Sequence, residues 1–355
     1  MLPGVANSRV QLAATYVWTE YFQISLLERT KLMARILIVL NLFFLTSFSV
    51  SSEASISFNI EYLDVVNMTG VGFDDPTLGA SRQATFNSVF GYLNTVLDHT
   101  GAADIQVQQS QNDGGGFLAS AGPFRFVGPN GFTNGFAFDQ ITTGFDQTGA
   151  VPDATVTFDF GFNWNSELDA PASNEFDLFS VALHEIGHVL GVGSVLNADG
   201  TSAISGGDPG DPGVFAVYDS FLERGDGTAL FSAGGDFVGT PADLVSDDLF
   251  FNGANAVAAN GGERPRIFAP TTFNDGSSLS HVDASVDPNG VLQFSTPPGQ
   301  TRRTFNGVEI GILQDIGFTV SSTAATVPEP SSLLFIQAGC VGMCVRRNRN
   351  NATNN

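Results

Sequence analysis

Three residues in one short stretch have the types and spacing for metal chemistry. Within FDLFSVALHEIGHVLGVGS, residues 176–194, stand His184, Glu185 and His188. On an α-helix, residues four apart are separated by about 400° of rotation, so they share a face one turn apart. His184 and His188 can therefore aim two imidazoles at one ion. Glu185 lies beside them on the wheel, within reach of a water at the metal but not placed as a ligand. Two histidine ligands and such a glutamate are the zinc-hydrolase pattern, the glutamate serving as general base. A buried helix carrying all three without a metal would bear a large desolvation cost.

The element that must position them is a helix over about 177–190. Phe176, Leu178, Phe179, Val181, Ala182, Leu183, Ile186, Val189 and Leu190 make it apolar on most sides. Asp177 suits the N-cap and Gly191 the left-handed exit. A catalytic zinc takes three protein ligands and leaves one position open. The chain has four histidines, so a third imidazole comes from His99 or His281. His99 ends an amphipathic segment, where histidine commonly serves the helix dipole. His281, in the polar run GSSLSHVD at 276–283, is the expected third ligand, weighed against a solvated loop histidine. Asp283, Asp199 and Glu263 are the carboxylate alternatives.

HEIGHVLGVGS resembles the metzincin signature HExxHxxGxxH or HExxHxxGxxD, matching at His184, Glu185, His188 and Gly191. Ser194 stands where the compact motif carries its third ligand, and serine binds zinc poorly. The leishmanolysin-like branch supplies that histidine after a long insertion, and His281 fits this arrangement. Residues 291–297, VLQFSTP, occupy the place of the family's Met-turn without a methionine. The resemblance is strongest over about 176–194 and 276–318, and is closest to secreted bacterial metallopeptidases. It implies an α+β, zincin-like fold, a mixed sheet with helices, with a smaller C-terminal subdomain. It also implies that an edge strand ahead of the active-site helix pairs with extended substrate; the candidates are 154–162 and 124–138. Such pairing takes affinity from main-chain hydrogen bonds.

The bulk composition bounds the partners. Thirty-six acidic and 14 basic residues give a net charge of −22, and Lys31 is the single lysine. That charge repels nucleic acid and anionic membrane, and suits a soluble exported protein. Forty glycines and 32 phenylalanines against 5 tyrosines predict many turns around a Phe-rich core.

Residues 1–54 read as a targeting segment. Lys31 and Arg35 precede the apolar run 36–48 and a small-residue site at 52–54, with Met33 an alternative start. An uncleaved anchor is the other reading. The run is short for a transmembrane helix.

The domain spans 55–326, in halves 55–191 and 192–318. Strands are expected at 56–66, 104–108 and 154–162, and a helix over 81–99. A turn at 112–116 and a hairpin or edge region at 124–138 lie between them. In the insertion 195–275, Asp208 and Asp211 could ligate calcium, although their spacing matches no defined loop. A short helix is expected at 217–223 and a helix start at 241–251. A helical face runs from 306 to 316. Arg302 or Arg303 could bind a carboxylate, with a solvated surface the preferred reading.

A Ser/Thr/Ala linker leads to a tail at 327–355. There Pro328-Glu329-Pro330, a short apolar run and Arg346-Arg347 resemble the PEP-CTERM sorting signal. That resemblance implies a bacterial sorting and processing enzyme as partner, transient membrane association through the terminal segments, and an extracellular or cell-surface location. An unprocessed membrane anchor is the other reading. The only cysteines, Cys340 and Cys344, lie in this tail, so the mature domain would have no disulfide. The expected function is a zinc-dependent endopeptidase acting on protein or peptide. The alternative is an inactive zincin-like surface or extracellular-matrix protein, motivated by Ser194 and the missing methionine.

Overall fold

Alternating burial along the first strands builds a sheet with one face on the core. β1 (Ser57–Tyr62) pairs in parallel with β2 (Ala102–Val107), Ser57 opposite Ala102 and Tyr62 opposite Val107. The computed structural model describes residues 55–206 and 211–321. The segments 1–54 and 327–355, and Asp208 of the calcium expectation, lie outside them. Among the described residues no helix is long and apolar enough to cross a membrane.

Between β1 and β2 the chain forms helix α1 (Gly79–Val96), which buries Phe86, Val89, Phe90, Leu93 and Val96. After β2 come β3 (Ala119–Pro123), β4 (Gly131–Thr133), helix α2 (Phe136–Thr143) and β5 (Ala154–Phe158). The sheet order is β1-β2-β5-β3; β5 runs parallel to β2 and β3 antiparallel to β5. Phe73, Phe86, Phe158 and Phe160 stack edge-on in the core, where aromatic pairs favour tilted contacts.

The short strands β6 (Trp164–Asn165) and β7 (Phe176–Asp177) lead into helix α3 (Leu178–Val189), which packs against α1 and β3. In the insertion, β8 (Val214–Ala216) pairs in parallel with β4. β9 (Leu222–Arg224), β10 (Leu249–Phe251) and β11 (Arg266–Ile267) form a second sheet in the order β11-β10-β9. Helix α4 (Ala254–Ala259) packs on α5 (Gly307–Asp315). Their approach is close enough that a Cβ on Gly311 would stand 2.6 Å from the Ala256 backbone.

Several expectations are corrected. The strand expected over 56–66 stops at Tyr62, and 63–66 turn helical. Buried Asp64 drives that turn by accepting hydrogen bonds from the Phe73 and Ser110 N–H groups. The region 124–138 is no hairpin: β4 seeks the distant β8, and Gly135, at φ 101°, opens α2. Residues 154–158 form an inner strand with partners on both sides, so the sheet edge nearest α3 belongs to β3. The helix start expected at 241–251 is a single 3-10 turn at Asp243–Val245 followed by β10. The expected short helix at 217–223 is a 3-10 turn, Val217–Phe221.

Candidate metal centre

Asp177 starts α3 with an unusually well-anchored cap. Its Oδ2 accepts from the Ser180 N–H at 3.1 Å and from the Ser180 hydroxyl at 2.5 Å. Arg303 closes on the same carboxylate through Nε at 2.9 Å and a terminal nitrogen at 2.5 Å. A bidentate Arg–carboxylate pair fixes orientation as well as charge. Arg302 is buried and donates to the Ser295 and Pro288 carbonyls, both at 2.9 Å. The two arginines are therefore structural, not a solvated surface. At the other end Gly191 adopts φ 98°, which a Cβ would resist, and turns the chain back beneath His188.

His184 and His188 occupy one face of α3, as their spacing requires. His281 arrives on a different framework. Phe268 donates its N–H to the His281 carbonyl at 2.9 Å and accepts from the Leu279 N–H at 2.8 Å. Val282 donates to the Leu292 carbonyl at 3.0 Å. This ladder along β11 and the 291–294 segment holds His281 opposite α3. Leu279, fully buried, sits at φ 67°, a position non-glycine residues rarely adopt.

Each imidazole is oriented by its Nδ1–H, which donates to a backbone carbonyl. The acceptors are Val291 at 2.8 Å for His184, Val192 at 2.7 Å for His188 and Ser277 at 2.7 Å for His281. A carbonyl only accepts, so the neutral tautomer leaves each Nε2 as a lone pair. The three Nε2 atoms converge: His184 to His188 is 3.1 Å and His184 to His281 is 3.2 Å. Three lone pairs at that separation repel unless a cation lies among them. Two nitrogens on a tetrahedral zinc at 2.0–2.1 Å stand about 3.3 Å apart, so the spacing fits zinc. Burial lowers the pKa of all three, that of His184 to about 3, so the imidazoles are neutral near pH 7 and each Nε2 is free to bind a metal.

Glu185 is buried between them and lines the same cavity, of about 560 Å³. Burial pushes its carboxyl up to about 8. A dication at the histidines would draw that value back toward ionisation. Residues 116–123, which end in β3, form one wall, and Gln293, Phe294, Ser295 and Thr296 another.

Below the site, Glu309 accepts from the Leu292 N–H at 2.6 Å and, through its other oxygen, from the Asn306 N–H at 2.8 Å. It thereby joins the α5 capping box to the segment whose Val291 carbonyl orients His184. This support was not read from the sequence. Glu309 lies three residues after Asn306, and that capping-box spacing was the available signal.

The remaining sequence candidates lie elsewhere. His99 accepts from the Thr319 N–H at 2.9 Å. Asp199 caps Thr201, Asp283 caps Ser285, and Glu263 is exposed. Ser194 lines the cavity, and its hydroxyl accepts from Leu196. The His184, His188 and His281 trio is the potential metal-ligand group found among the described residues. Nothing among those residues supports calcium at Asp211.

Residues 96–199 match the family model Peptidase_M10, Matrixin. Matrixins bind zinc, and the match supports a zinc-metallopeptidase kind of function. The matched span runs from the end of α1 through α3 and includes His184, Glu185 and His188 but not His281. The mixed α+β architecture, with α3 packed on the sheet, agrees with a matrixin-like zincin fold. No curated protein and no solved structure matches the chain.

Proposed function

We propose that this protein is an exported zinc-dependent endopeptidase, with His184, His188 and His281 as the metal ligands and Glu185 as general base. The observation that carries the reading is the convergence of three Nε2 atoms, those of His188 and His281 at 3.1 and 3.2 Å from that of His184, with every Nδ1 tied to a carbonyl, beside the buried Glu185. Zinc held there supplies Lewis acidity, lowering the pKa of water and polarising a scissile carbonyl.

The protein's own residues do the rest. The Val291, Val192 and Ser277 carbonyls keep the rings turned toward the ion. Glu185 takes a proton from the attacking water and delivers it to the leaving amine. β3, the sheet-edge strand that lines the cavity, pairs with the main chain of an extended peptide. The distal third ligand follows the leishmanolysin-like arrangement. The N-terminal targeting segment and the PEP-CTERM-like tail support export to the cell surface or beyond, with sorting by a processing enzyme.

Glu185→Gln tests the assignment. The variant is expected to bind zinc as the wild type does and to lose peptide hydrolysis by at least about 10²-fold. Retained turnover would refute the general-base role. Zinc binding without turnover in the wild type would favour the inactive-scaffold reading.

A further inference from the structure

One cation faces the cleft without a partner. Arg125 lines the cavity together with His184, Glu185, His188 and His281. It stands two residues beyond β3, on backbone pinned at Phe124. The Phe124 N–H donates to Asp153 at 2.7 Å, and its carbonyl accepts from Phe136 at 2.9 Å. Every other described arginine has its guanidinium engaged. Arg82 donates to Gly72 and lies over the Phe160 ring. Arg224, Arg264, Arg266 and Arg303 form ion pairs, and Arg302 holds two carbonyls. Arg125 alone among them makes no hydrogen bond or ion pair to a described residue; its Nε is buried and unsatisfied, as are those of Arg82, Arg266 and Arg302.

A guanidinium partly withdrawn from water is costly without an acceptor, and its planar fork matches a carboxylate. The internal carboxylate whose charge acts on it is Asp219, which is fully buried. Its Oδ2 is held by the Val195 and Ala216 N–H groups at 3.2 and 3.0 Å. Asp219 attracts Arg125 through space, without ion-pair contact. Toward the cleft, Arg125 shares the cavity wall with His188. The other charged groups of the lining, Glu185 and Asp275, are acidic.

We propose that Arg125 binds a carboxylate of the substrate, so that the cleft selects peptides presenting an acidic side chain or a free C-terminal carboxylate near the scissile bond. This rests on the peptidase reading for its substrate class. The positive centre sits at the end of the strand expected to pair with the peptide main chain, where it can read one substituent of a chain held by backbone hydrogen bonds. A charge-assisted hydrogen bond of this kind discriminates by about 10- to 100-fold.

The test is binding, measured on the purified full chain carrying Glu185→Gln so that ligands persist. The probes are two degenerate octapeptide libraries, each as a matched pair: Asp/Glu against Asn/Gln at internal positions with amidated ends, and free-acid against amidated C-termini. Tighter binding of the carboxylate member by about 10- to 100-fold, lost in Arg125→Gln, is the expected result. The pair that shows the preference identifies the source of the carboxylate. Arg125→Lys, which keeps the charge without the fork, should retain part of the preference. Equal binding within both pairs, including none, or a preference unchanged by Arg125→Gln, would overturn the proposal. An Arg125 that served only Asp219 would weaken folding without changing the ratio. Hydrolysis by the wild type is scored separately: a preference in binding without any turnover would sink the peptidase reading and leave the carboxylate site standing.

Discussion

Gly187 lies in the middle of α3, between His184 and His188, and Gly187→Ala sets two effects of known size against each other. In an unobstructed helix the change gains about 1 kcal/mol. Here the new Cβ would stand 2.6 Å from Leu292 Cδ2 and 3.9 Å from Phe305 Cε1. Comfortable carbon contacts lie near 3.5–4.0 Å, so Leu292 must retreat by about 1 Å. It is fully buried and cannot swing into solvent. Overpacking of this kind costs about 1–3 kcal/mol, so a net loss of about 1 kcal/mol is expected. The displaced segment also touches the site. The Val291 carbonyl orients His184, and the Leu292 carbonyl holds the Val282 N–H beside His281. Disturbing such outer partners weakens metal affinity by about 10- to 100-fold. Urea unfolding gives the stability, and competition with a chromophoric chelator gives zinc affinity. Gly91→Ala is the control: it lies in α1, nothing approaches its Cβ within 4 Å, and it should stabilise by about 1 kcal/mol. A Gly187→Ala protein that gained stability like the control and kept its zinc affinity would refute the coupling.

Other consequences follow from the same contacts. Asp177→Ala removes the α3 cap and strands half-buried Arg303; a loss of about 3 kcal/mol in urea unfolding is expected, and a loss under 1 kcal/mol would show the pair to be incidental. Burial raises the Glu309 carboxyl from 4.5 to about 7. Its unfolded counterpart therefore ionises first, and stability should fall as pH rises from about 4.5 to about 7, by up to roughly 3 kcal/mol from this group. Glu309→Gln should flatten that slope while costing about 1–3 kcal/mol at pH 4.5, because an amide cannot accept from both Leu292 and Asn306. An unchanged pH slope would rule out Glu309 as its source. Removing zinc with a chelator should lower the melting temperature by on the order of 10 °C relative to protein with free zinc at about 1,000 times its Kd. An unchanged temperature would mean that no ion links α3 to the His281 segment.

The helix was legible because local signals agreed. Apolar periodicity, Asp177 and Gly191 placed it at about 177–190, and it spans Leu178–Val189. His281 was reachable by counting histidines and by the leishmanolysin-like spacing, not from local signals, because the ladder from Phe268 that presents it is tertiary. β3 was passed over as a strand: Ala-Ser-Ala-Gly-Pro has little β-propensity, and its edge position exists because β5 takes partners on both sides. The Phe/Gly alternation at 124–138 has a strand's period, yet its partner is an insertion strand some eighty residues away. Arg302 and Arg303 looked like surface charges. What buries them is an acceptor 126 residues earlier in the case of Arg303, and the carbonyls of a turn in the case of Arg302.

Zinc stoichiometry of the purified protein, wild type beside His281→Ala, tests the central assignment most directly. One zinc per chain in the wild type, bound at least tenfold more weakly in the variant, is the predicted result. One zinc held equally well by both would remove His281 from the site, and no zinc in the wild type would contradict the metallopeptidase account altogether.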